Sequence, residues 1–77
     1  MTRQLRIHHL YKHFKDKLYY VIDEGIDSET LKPVVIYRAM YGKHKIFVRD
    51  KEMFLSLVDQ NKYPGCTQTY RFEEVEQ

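Results

Sequence analysis

Three stretches rich in aromatic and β-branched residues, LYYVID at 18–23, PVVIYRAMY at 33–41 and KIFVR at 45–49, follow one another closely along the chain. A parallel crossover needs a dozen or more residues, and no connection here is long enough for repeated crossovers, so the stretches are expected to pair antiparallel. Pro33 opens the second stretch, a position proline tolerates because a strand's first residue need not donate to a ladder. Gly42-Lys43-His44-Lys45 then supplies a short glycine-containing loop of the kind that closes a hairpin. YKHF at 11–14 and TYRFEEV at 69–75 read as the outer pair. Between the last two strands, Met53, Phe54, Leu57 and Val58 fall on one face of a helix that Asp50 can cap. The expected class is mainly β: a small antiparallel barrel or roll of about five strands, with one short helix covering an open end or face.

The chain has 77 residues, which suits one domain (1–77) with a thin core, so most large apolar side chains are needed for folding. Residues 1–9 read as a loose, basic N-terminal end. The single cysteine, Cys66, rules out an internal disulfide and points to a reducing, cytoplasmic setting. The longest apolar runs, Leu18 to Ile22 and Val34 to Tyr37, are far short of a membrane span, and no apolar segment of a secretory leader follows Arg3 and Arg6. Charge is uneven: Arg3, Arg6, Lys12, Lys15 and Lys17 face only Asp16 in the first 20 residues, whereas acids outnumber bases from residue 51 onward. Both ends suit solvated surface.

Three motifs in order, YKHFKDKLYYV, SETLKPVVIYRAMYG and IFVRDKEMF, resemble the small bacterial family known as domain of unknown function 1653. The resemblance spans residues 11–54. Its matching positions include Tyr11, His13, Phe14, Lys15 and Tyr19, then Ser28, Glu29, Thr30, Tyr37, Tyr41 and Gly42, then Val48, Arg49, Met53 and Phe54. It implies an SH3-like barrel and no established activity. Four departures stand out: Asp16 for a usual glycine, Asp27 for a usual histidine, Phe47 for a usual tryptophan and Asp50 for a usual proline. Aspartate at position 16 can still occupy a turn needing positive φ. With Asp27, any imidazole role at that point is lost or passes to a carboxylate.

His8, His9 and His13 invite a metal reading, but on a strand four residues span about 13 Å, too far for His9 and His13 to share one ion. No metal site and no cofactor is expected. An enzyme would pair His13 with Glu29 as acid and base, or use Tyr19, Tyr37 or Tyr41 as donors, in a pocket formed by the Ser28-Glu29-Thr30 loop. It lacks a convincing nucleophile, and Ser28 and Thr30 more simply bond their own turn. A non-enzymatic recognition module needs least. Alternation sets Val35, Tyr37, Ala39 and Tyr41 opposite Val34, Ile36, Arg38 and Met40. With the second set, barring Arg38, read as core, Tyr37 and Tyr41 belong to a partly exposed aromatic surface with His13, Lys15, Tyr19 and Arg49. Such a face suits a protein or peptide ligand, and single-stranded nucleic acid is the alternative. Arg49 is expected to pair locally with Glu52, and Arg38 to mark an edge or meet Glu29 or Glu73. No membrane partner is expected, and oligomeric state is open, although an exposed edge strand makes strand pairing feasible.

Overall fold

The protein is described by a computed structural model over residues 3–76. Its elements are β1 (His9–His13), β2 (Lys17–Ile26), β3 (Pro33–Ala39), β4 (Ile46–Asp50), α1 (Lys51–Phe54) and β5 (Phe72–Glu74). The strands form one antiparallel sheet in the order β4-β3-β2-β1-β5. Five antiparallel strands and one short helix are present as expected; closure into a barrel is not, because among the described residues no ladder joins β4 to β5. The sheet nonetheless curls. Arg49 on one edge strand brings its guanidinium carbon 5.8 Å from the centre of the Phe72 ring on the other. A bulge contributes to the bend: Val21 lies opposite Tyr37 and Asp23 opposite Ile36, leaving Ile22 as the extra residue in β2.

Turn chemistry explains the hairpins. Asp16 sits at φ 65°, the left-handed conformation expected of it, and its N–H donates to His13 O at 2.9 Å. Gly42, at φ 57°, serves the β3–β4 turn, where a side chain would be disfavoured by the backbone alone.

The face that forms the core is the reverse of the one expected. Val35, Tyr37 and Ala39 are buried, whereas Val34, Ile36 and Arg38 are half-exposed and Met40 is exposed. Both faces of β3 carry apolar residues, so alternation alone does not fix the sign. Cross-strand partners do: Tyr37 stands opposite Val21 and Phe47, and its inward neighbours Tyr11, Phe54 and Phe72 make one cluster. Phe54 stacks on Phe72 with centroids 4.0 Å apart and planes 7° from parallel.

The helix is shorter than the apolar spacing suggests. Asp50 caps it, accepting from Glu52 N (2.9 Å) and Met53 N (3.2 Å), but α1 ends after Phe54. Ser56 Oγ donates to Met53 O at 2.6 Å, and Ser56 O accepts from Arg71 N, so the chain leaves the helix to meet the segment before β5. Met53 and Leu57 are therefore exposed, and Val58 is buried from an extended segment whose N–H bonds Thr69 O.

The N-terminal stretch is not loose over its described residues. Arg3 donates to Leu55 O (3.1 Å) and Phe72 O (2.9 Å), Leu5 packs on the core, and Arg6 N donates to the Tyr11 hydroxyl (3.0 Å). The pairing of β1 with β5 and the 3.3 Å Arg6–Glu74 ion pair hold the two ends of the described chain side by side. Met1 and Thr2, also assigned to the loose end, lie outside the described residues.

Candidate recognition site at the mouth of the curled sheet

Register places the side chains of the inner face. Tyr19 pairs with Ala39 and Tyr11, His13 with Lys17 and Phe72, and Tyr37 with Phe47, so all of them project to the side that α1 covers. The four-residue α1 reaches only part of this face. At the uncovered end an aromatic cup remains, with Tyr19 at its centre. The Tyr19 ring lies 5.3 Å from Tyr37, 5.6 Å from Tyr41 and Phe72, and 6.2 Å from His13, each contact near edge-on. Edge-to-face packing is the favoured aromatic geometry and fixes the rings without a polar scaffold.

Two hydrogen bonds set the polar atoms of the cup. The Tyr19 and Tyr41 hydroxyls share one at 2.7 Å, and Arg49 Nε donates to the Tyr37 hydroxyl at 3.2 Å. Burial first, and the bond to Tyr41 second, raise the Tyr19 phenol above its ordinary value. Tyr37 itself is 4% exposed and forms the floor, which corrects its expected place on a partly exposed surface. The accessible walls are Tyr41 and Phe47, at 40% and 42% exposure. Between them lies an apolar recess of about 210 Å³ lined also by Ala39, Gly42, Lys43 and Lys45. That is below the few hundred Å³ of a typical cofactor pocket and suits a single side chain.

His13 is wedged between Phe14 and Phe72, with ring centres 4.5 and 4.8 Å away. Its pKa is lowered to about 4, by burial first and then by the positive charges of Arg49, Arg71 and Lys15. At neutral pH it is an uncharged ring surrounded by cations. Lys17 lies with its ammonium 5.0 Å from the centre of the Tyr41 ring. The ion pairs among the described residues are Arg6–Glu74, Lys12–Asp16 and Lys51–Glu24, so Lys17, Arg49 and Arg71 have no carboxylate partner there. The expected Arg49–Glu52 pair is not formed, because Arg49 turns to Tyr37. Arg38 meets neither Glu29 nor Glu73; it donates to His44 O at 2.8 Å and ties down the hairpin loop.

Of the residues singled out from the sequence, His13, Tyr19, Tyr37, Tyr41 and Arg49 come together. Lys15 contributes charge but points elsewhere, its ammonium 5.6 Å from the Tyr63 ring in a separate groove shared with Lys12, Phe14 and Lys62. Ser28, Glu29 and Thr30 lie beyond the opposite end of β2. His13 flanks Lys17, the first residue of that strand, and the loop follows Ile26, its last. The 10-residue strand separates His13 from Glu29 by on the order of 30 Å. They cannot act as an acid–base pair. The loop is instead organised by Asp27, whose Oδ1 accepts from Glu29 N (2.8 Å) and Thr30 N (3.2 Å), bonds that lower its pKa. Among the described residues no three histidine, cysteine, aspartate or glutamate side chains gather as a metal site.

Phe47, Lys17 and Phe72, and Arg71 beside His13, join the site although the sequence does not single them out as site residues. Phe47 and Lys17 were within reach, since each hairpin register places them opposite a chosen residue. Phe72 and Arg71 arrive through the long-range β1–β5 pairing, whose register no local pattern sets.

A family model described as "Protein of unknown function (DUF1653)" matches residues 9–74, from the start of β1 to the end of β5. No curated protein and no solved structure matches the chain.

Proposed function

The chain belongs to the DUF1653 family, and from that premise we propose that it is a non-enzymatic recognition module whose aromatic cup binds an acidic segment of another protein. One observation carries this reading. A half-covered inner face presents Tyr19, Tyr41 and Phe47 beside Lys17 and Arg49, two cations with no carboxylate partner among the described residues, and Arg71 adds its charge next to His13. Aromatic walls supply area and polar tips at low entropic cost, and an arginine fork beside them suits a carboxylate. Single-stranded nucleic acid would use the same rings by stacking. However, the Tyr19 contacts are edge-on and its hydroxyl is engaged by Tyr41, which leaves few free ring faces for successive bases. We place the module in the cytoplasm on the strength of its unpaired Cys66 thiol.

The test is a titration that follows the aromatic-ring NMR resonances. A peptide of alternating glutamate and tyrosine is expected to move the rings of Tyr19, Tyr41 and Phe47, and Arg49→Gln to weaken it about tenfold, the scale of a charge-assisted bond. Ring shifts produced by oligouridylate, and lost as salt rises, would transfer the site to nucleic acid. Unmoved rings with both ligands would overturn the proposal.

A further inference from the structure

The strand β4 ends the sheet on one side. Ala39 N donates to Lys45 O at 2.9 Å, and the register sets Tyr37 opposite Phe47 and Val35 opposite Arg49. Lys45, Phe47 and Arg49 are therefore the residues whose backbone bonds point inward to β3, because bonded and non-bonded pairs alternate along an antiparallel ladder. Ile46 and Val48 turn their N–H and C=O groups outward, and they are 52% and 63% exposed. The other edge is guarded: β5 has 3 residues, and its Phe72 carbonyl already accepts from Arg3. A free backbone row beside apolar side chains is a template for one more strand.

Charge selects the occupant. A second copy would bring Lys43, Lys45 and Arg49 against the same cations, and Asp50, the one acid of the strand, is engaged in capping α1. We infer that β4 takes up an extended acidic segment of another protein as a sixth, antiparallel strand. Its alternation follows from the pleat. Residues opposite Lys45 and Arg49 are acidic, the one opposite Phe47 is aromatic and enters the recess beside Tyr41, and those opposite Ile46 and Val48 are apolar and extend the outer face. The inference rests on the peptide-binding reading above, since Phe47 and Arg49 serve both.

The probe is a fluorescein-labelled peptide with the core Glu-Val-Tyr-Val-Glu, read by anisotropy and by the ring resonances of the cup. In this register the two valine N–H groups face β4 and the tyrosine N–H faces away. Methylating both valine nitrogens is expected to weaken binding more than about tenfold, the loss of two backbone bonds, while methylating the tyrosine nitrogen leaves it within about threefold. Equal effects of the two methylations, with the cup rings still shifting, would overturn strand addition and leave the cup as a side-chain site. Sedimentation showing a dimer of the protein alone, abolished by Val48→Lys, would overturn it in favour of a second copy. Absence of binding with unmoved rings would sink both readings.

Discussion

His13 shows how one side chain acquires its character from neighbours far away in sequence. The YKHF motif brought it forward as a polar contact, yet its ring packs between Phe14 and Phe72 and faces the charges of Arg49, Arg71 and Lys15. Its folded pKa is lowered to about 4 from 6.5, so the unfolded chain takes up the proton first as pH falls. The stability it contributes is complete above about pH 6.5 and is lost as pH falls toward 4. A melting-temperature series should show a shallower decline for His13→Gln than for the parent across that window. The difference should stay below about 1 kcal/mol per pH unit because a half-exposed ring is partly screened. Identical slopes would remove His13 from the acid response. Tyr19, Tyr41 and Arg49 were legible from the sequence as members of one face; the neutral state of His13 was not, because Arg71 and Phe72 reach it only through tertiary pairing.

At the level of elements, strand existence was readable from β-branched and aromatic runs, and Asp16 and Asp50 announced a turn and a cap. Helix length was not readable. The spacing of Met53, Phe54, Leu57 and Val58 fits a helical face, but Ser56 bonds back to Met53 and the chain then follows residues 69–71. A local period cannot reveal a competing partner a dozen residues onward. With only 4 residues in α1, the Asp50 cap carries a large share of its stability. Asp50→Ala should cost about 1 kcal/mol in urea denaturation, and a loss indistinguishable from zero would show that α1 is held by Phe54 packing alone. The sign of the β3 alternation was likewise hidden, since Val34 and Ile36 are as apolar as Val35 and Tyr37; the bulge at Ile22 and the partners across the sheet decide it.

For the molecule as a whole, the fully buried side chains are few, and Tyr11, Phe54 and Phe72 dominate them. Phe72→Ala removes one ring of the parallel Phe54–Phe72 stack and should cost about 3–5 kcal/mol, enough to unfold a domain with a thin core. Circular dichroism at 25 °C should show that variant largely unfolded, whereas Phe72→Leu stays folded with reduced stability; a cooperative, near-parental transition for the alanine variant would place the core elsewhere. Among the described residues no helix is long and apolar enough to cross a membrane. Ile46 and Val48, both exposed, continue onto an outer face where Ile36 is only half-covered, an apolar surface that the curled sheet itself does not bury. The β1–β5 pairing bears on architecture in another way. Because Arg6 and Glu74 meet at 3.3 Å, the described chain leaves the sheet close to where it enters. Such a fold can be spliced into a surface loop of a larger protein, or have its ends joined and be reopened at Gly42, without separating any strand from its partners.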